Sequence, residues 1–207
     1  MVGVGGGSAW HDGRRMSTER RVAGPNAKNR TVLLDAAERI LLAEGYAAVT
    51  SRRVAAEAGL KPQLVHYYFA TMDDLFLEMF RRRAEEGLAR QAAALASDEP
   101  LRALWEFSRD DAGTALTYEF VALANHRKEI RAEIGRYAEQ FRVAQIAALG
   151  PILDAAGIDT DVFTPAAVSV LLTSLSRVVS MERSIGVTEG HDDAIRLAER
   201  LIVERDV

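Results

Sequence analysis

The stretch TSRRVAAEAGLKPQLVHYYF, residues 50–69, decides how the rest of this chain is read. Val54, Ala55 and Ala58 recur at the three-to-four spacing of one short helix, and Leu64, Val65 and Tyr68 repeat that spacing on a second. Between them, Gly59 offers the left-handed backbone at which helices stop, and Pro62 brings a fixed φ suited to the first turn of the next helix. Two short helices joined by so tight a turn make a helix-turn-helix. Neither is long enough to be stable alone, so the unit has to lay its apolar side on neighbouring helices. Gln63, His66 and Tyr67 are then left on the outer side of the second helix, from which such a helix meets base edges in a major groove.

Both neighbours are legible. Upstream, Leu33, Ala36, Ala37, Ile40 and Leu41 form one helical stripe, which predicts a helix over residues 28–43 with Gly45 at its end. Downstream, Thr71 is placed to cap a long helix with Asp73 and Asp74 in its electropositive first turn and Leu75, Phe76, Met79 and Phe80 facing inward. Because Thr71 follows Phe69 so closely, this long helix leaves the helix-turn-helix without a linker and is the natural lever between the two parts of the chain.

The ordered series Thr50, Arg52, Val54, Ala55, Ala58 and Gly59, then Leu64, Tyr67, Tyr68 and Phe69, then Asp74 and Leu75, resembles the DNA-binding segment of the TetR family of one-component transcriptional regulators. The likeness covers residues 28–75 and departs from the family pattern twice. His66 precedes Tyr67 where the family usually has Tyr then His, and Met72 stands where it usually has Lys. The resemblance implies an all-α protein: a helix-turn-helix DNA-binding domain, residues 28–72, joined by a long helix to a helical effector-binding and dimerisation domain, residues 73–207. It further implies a double-stranded DNA operator of two-fold symmetry, a small-molecule effector and a homodimer whose last two helices make a four-helix interface. On this reading Thr50 and Arg52 meet phosphates, Lys61 stands at the start of the recognition helix, Gln63 and His66 read bases, and Tyr67 touches the DNA backbone.

Charge distribution agrees with such a footprint. The chain has a formal net charge of −4, yet over residues 14–72 the bases outnumber the acids, so a basic end sits on an acidic body. Residues 1–27, rich in glycine and then arginine, read as a disordered tail; Arg14, Arg15, Arg20 and Arg21 serve either as an arm towards a neighbouring groove or as a solubilising segment. No apolar run is long enough for a secretory signal or a membrane span, which makes a cytoplasmic protein the expectation.

The sequence carries none of the common enzyme signatures. The chain has no cysteine, and its histidines, His11, His66, His126 and His191, are scattered without metal-site spacing. It also lacks a nucleophile elbow and a phosphate-cradling loop with its lysine. The expectation is therefore a protein that is not an enzyme and needs no cofactor or metal.

Beyond residue 99 every segment repeats at the helical period. The helix opened by Thr164-Pro165 is apolar or small on nearly all sides, more than the last helix alone can cover. A second copy of the chain is the simplest cover, with Val168, Leu171, Leu172, Leu175 and Val179 and, from the last helix, Ala198 and Leu201 as the expected interface. Pro151 predicts a kink or break in the long segment before it. Polar and aromatic residues on otherwise apolar faces, Trp105, Tyr118, Asn125, Tyr137, Phe141, Ser174 and Arg177, are the candidates to line a pocket for a largely apolar effector. Two other readings stay open: a helix-turn-helix binder that answers to no effector, and a helical enzyme or interaction scaffold that has lost operator binding.

Overall fold

The computed structural model describes residues 25–200, and within them the chain is helical, with no strand. In order come α1 (Pro25–Glu44), a 3-10 turn at Tyr46–Ala48, α2 (Ser51–Ala58), α3 (Pro62–Tyr68) and α4 (Met72–Leu95). They are followed by α5 (Pro100–Ser108), α6 (Asp111–Ala124), α7 (Lys128–Ala155), α8 (Pro165–Ser184) and α9 (His191–Ala198). The expectations for residues 1–24 and for Leu201 fall outside the described residues.

Local chemistry sets the helix-turn-helix. Thr50 Oγ1 accepts from Arg53 N at 3.3 Å and caps α2, and Gly59, at φ 66° and ψ 28°, ends it. Leu60 N then closes back on Ala55 O at 2.9 Å, and Pro62 opens α3. Three residues past the end of α3, Thr71 forms a reciprocal capping box with Asp74: Thr71 Oγ1 accepts from Asp74 N at 3.1 Å and Asp74 Oδ2 from Thr71 N at 2.9 Å. The chain thus passes from recognition helix to long helix with the Thr71 and Asp74 backbone donors satisfied, which stiffens the junction.

Two cores result. The first gathers Leu33, Ile40 and Leu41 of α1, Val54 of α2, Val65, the adjacent Phe69, and Leu75, Phe76 and Met79 of α4. It does not stop at residue 72: Leu116, Phe120 and Leu123 of α6 and Ile130 of α7 belong to it. The second gathers Leu101, Leu104 and Trp105 of α5, Leu149 and Leu153 of α7, Val168, Leu172 and Val179 of α8, and Ile195 and Ala198 of α9.

Ion pairs stitch the helix-turn-helix to the body. Arg82 of α4 reaches Asp35 at 2.6 Å and Glu38 at 3.1 Å on α1, Asp73 meets Arg127 at 2.7 Å, and Glu119 of α6 accepts from Tyr46 N at 3.1 Å. Glu133 of α7 sits between Arg136 and Arg81, whose hydrogen bonds hold its carboxyl down to about 2.

Pro151 does not break its helix. α7 continues through it to Ala155. A proline removes one backbone donor and crowds the turn before it, but its neighbour Gly150 has no side chain to add to the crowding, and the buried Leu149 and Leu153 pin both flanks into the second core.

Candidate functional site

The outer face of α3 carries the expected residues. Val65 is buried and Phe69 nearly so, which turns Lys61, Gln63, His66 and Tyr67 to solvent, Tyr67 with 67% of its surface exposed. Thr50 and Arg52 are exposed beside them at the start of α2. Of the two adjacent arginines, Arg53 is tied to Glu44 at 2.7 Å and Glu57 at 3.1 Å, whereas Arg52 forms no ion pair with any described residue. Arg52 is thus the cation free to meet a phosphate, and Arg53 a strut.

The body contains a cavity of about 250 Å³ walled by α4, α6, α7 and α8 and by the end of α5 with the connection that follows it. Aromatic rings make much of its surface: Phe80 lies edge-on to Phe120 at 5.1 Å and to Tyr137 at 5.7 Å between centroids, and Phe107 and Phe141 complete the set. Gly87 of α4 permits this closeness, because a Cβ there would lie 2.9 Å from Phe141 Cζ. Polar groups on the wall are mostly engaged. Tyr137 Oη donates to Glu85 at 3.0 Å, Gln91 Nε2 to the Phe141 carbonyl at 3.1 Å, and Arg90 to Asp110 at 2.8 Å. Asp110 also accepts from Gly113 N at 3.1 Å as the cap of α6.

Tyr137, Phe141 and Arg177 line this cavity as expected; four other candidates do not. Trp105 is buried in the second core, its indole N–H donating to Glu199 at 3.2 Å, so it fastens α5 to the chain end. Tyr118 donates to the Arg177 carbonyl at 2.7 Å and joins α6 to α8. Asn125 ends α6 in solvent, where its carbonyl accepts from Arg131 at 3.0 Å, and Ser174 lies on the exposed side of α8. The wall residues that sequence reasoning passed over include Gln91, Arg142, Gln145, Thr173 and Ser176. Gln145 was findable: it stands four residues from both Phe141 and Leu149, a polar residue on an inward stripe.

The expected interface residues divide likewise. Val168, Leu172, Val179 and Ala198 are buried in the chain's own second core, and Leu175 packs against it, because α8 lies over α5, α7 and α9. Leu171 alone of the described set is open, 58% exposed, with Val170, Val178, Met181 and Ile185 alongside and Leu197 on α9. Helix α8 therefore turns one apolar face inward and another to solvent.

Among the described residues no group of histidine, aspartate and glutamate side chains is arranged to hold a metal, and no helix is long and apolar enough to cross a membrane.

Comparison with known proteins gives this architecture its context. The family profile described as bacterial regulatory proteins, tetR family, matches residues 33–79, the segment that builds α1 to the first part of α4. The HTH-type transcriptional regulator BetI of Rhizobium meliloti (strain 1021) is 29% identical over 178 residues, 80% of this chain and 88% of BetI. A transcriptional regulator from Saccharomonospora viridis, solved in complex with choline, shares the fold with a TM-score of 0.72 at 20% identity, covering 86% of this chain and 98% of its own. The multidrug binding protein EbrR, solved with imidazole, superposes with a TM-score of 0.56 at 29% identity over 84% of this chain and 90% of its own. With its helix-turn-helix, capped long helix and helical body in this order, the chain is similar to transcriptional regulators of the tetR family, whose profile falls on its helix-turn-helix and the flanking helices.

Proposed function

We propose that the protein is a homodimeric repressor, working in the cytoplasm, that binds a two-fold operator and leaves it when a small, largely apolar molecule fills the cavity. Residues 28–72 are the DNA-binding unit and residues 73–207 hold the effector and the dimer contacts. One observation carries the reading: the cavity is walled by α4, whose first turn follows the recognition helix after only Phe69, Ala70 and Thr71. A molecule that moves α4 therefore moves α3. Two recognition helices of a dimer must stand about 34–36 Å apart to enter successive major grooves, so a small tilt of α4 abolishes the fit.

Relatives with a bound small molecule, choline in the Saccharomonospora viridis structure and imidazole in EbrR, favour a switch over a constitutive binder. The exposed apolar side of α8 supports the dimer, since a second copy brings the same stripe, Leu171 and Val178 included, onto itself around a two-fold axis. Selection of binding sites from random duplexes tests the core of this: a motif with two inverted half-sites is expected, and a motif without two-fold symmetry overturns it.

A further inference from the structure

The arginines of the cavity wall fall into two kinds. Arg83 is neutralised by Glu38 at 3.1 Å and Glu86 at 2.9 Å, and Arg90 by Asp110 at 2.8 Å. Arg142 of α7 and Arg177 of α8 have no carboxylate at ion-pair distance among the described residues. Burial pushes the Arg142 guanidinium below its ordinary value and the neighbouring Arg177 charge pushes the same way, opposed only by Glu139 on the outer side of α7. A guanidinium keeps its proton in proteins, so the two like charges remain and an anion placed between them would be stabilising.

Hydrogen-bond direction adds a third group. Arg142 can only donate, and does so to Ser169 Oγ at 2.7 Å. Ser169 is buried and gives its one proton to Gln145 Oε1, which fixes the Gln145 amide with its carbonyl towards Ser169. Gln145 is 4% exposed, and its Nε2 has no partner among the described residues and is not sealed from the cavity. The hydroxyls of Thr117 and Thr173 are turned to carbonyls of their own helices, Gly113 at 2.8 Å and Ser169 at 2.8 Å. This end of the cavity thus presents cations and donors, while the remaining wall presents Phe80, Phe120, Tyr137 and Phe141.

Resting on the cavity as the effector site, we propose that its occupant is a carboxylic acid with a small aromatic or aliphatic body, its carboxylate held by Arg142, Arg177 and Gln145. The planar, two-oxygen head matches a guanidinium fork, and one negative charge suffices where the other charged groups of the wall, Arg83, Arg90 and Asp110, are already paired. A quaternary ammonium is disfavoured despite the aromatic faces: Asp110 is occupied by Arg90, Glu85 by Tyr137, and both open arginines repel it.

The test titrates the full chain with 3-phenylpropionate and hexanoate, the neutral 3-phenylpropanamide, the dianion phenyl phosphate, and choline, reading affinity by calorimetry and melting temperature. The carboxylates are expected to bind and raise the melting temperature, with the amide at least about tenfold weaker and choline without effect. Arg177→Gln, at an exposed position, should leave the apo protein folded with unchanged or higher melting temperature and weaken the acids about 10- to 100-fold; Arg142→Gln should weaken them similarly. Choline or the amide binding as tightly as the acids, phenyl phosphate binding tighter, no probe binding, or arginine variants with unaltered affinity would each overturn the proposal. Operator release separates the two readings. An acid that binds without releasing operator leaves this ligand class standing and removes the switch, whereas release by choline alone keeps the switch and removes the ligand class.

Discussion

On the proposed DNA-binding role, single side chains on α2 and α3 divide the work of recognition by what the fold leaves them free to do. Gln63 is exposed with both amide groups available for a base edge, and Arg52, unlike the tethered Arg53, carries a charge with no protein partner among the described residues. Gln63→Ala is expected to cost about 1–3 kcal/mol on the preferred site and to relax base preference at one position per half-site. Arg52→Ala should weaken all duplexes alike and make the affinity less steep in salt, because only a phosphate contact is lost. Fluorescence anisotropy against matched and scrambled duplexes over a salt series separates the two; an unchanged site profile for Gln63→Ala would sink its assignment. At this scale the exposed face of α3 was legible because a helix-turn-helix fixes which residues point out. The cavity was not. Its lining comes from five separate helices and the Asp110 connection, and Trp105, Tyr118 and Asn125 carry polar groups that the fold uses between helices or at a helix end.

Helix α4 and its partner α7 meet where a missing side chain matters more than helix propensity. Alanine in place of a mid-helix glycine gains about 0.5–1 kcal/mol where there is room, and Gly135 of α7, exposed with nothing within 4 Å of a built Cβ, has that room. Gly87→Ala instead drives a methyl to 2.9 Å from Phe141 Cζ, and the strain of overpacking, about 1–3 kcal/mol, cancels or exceeds the gain. Chemical denaturation should show Gly135→Ala stabilised and Gly87→Ala not, with the displaced Phe141 ring narrowing the cavity and weakening its ligand; equal stabilisation of both would mean the α4–α7 contact is slack. The outward side of α8 makes a second paired prediction. Leu171→Asp and Val178→Asp leave the chain's own core intact and should yield a folded monomer in sedimentation, whereas Leu172→Asp, at 1% exposure, buries an unpaired charge and should unfold the chain whatever its assembly. Leu171→Asp protein that remains a dimer would put the interface elsewhere. Period and capping residues had shown these helices in the sequence, α8 included. Which of its two apolar faces is covered by the chain itself depends on how α5, α7 and α9 pack, and periodicity holds no information on that.

Across the whole molecule, the cavity lies where the two cores come together. Leu116 and Phe120 are buried members of the core that includes the helix-turn-helix and also line the cavity, while Phe107, on α5, packs against the other core and lines it as well. On the proposed switch, a ligand there presses on Leu116 and Phe120, members of the core that also holds α1 and α3, and filling the space and repositioning the recognition helix are one rearrangement of packed side chains. Its strength is bounded: moving the dimer from about 99:1 in favour of the DNA-binding form to the reverse takes roughly 5.5 kcal/mol of differential binding, and a ligand equally at home in both forms moves nothing. Such coupling is reciprocal. Titration of a bound carboxylate into the free dimer and into the operator complex is therefore expected to give affinities that differ by the same factor by which the ligand weakens DNA binding. Equal affinities in the two titrations would show that the cavity binds without switching, and that α4, for all its stiffness at Thr71 and Asp74, does not carry the signal.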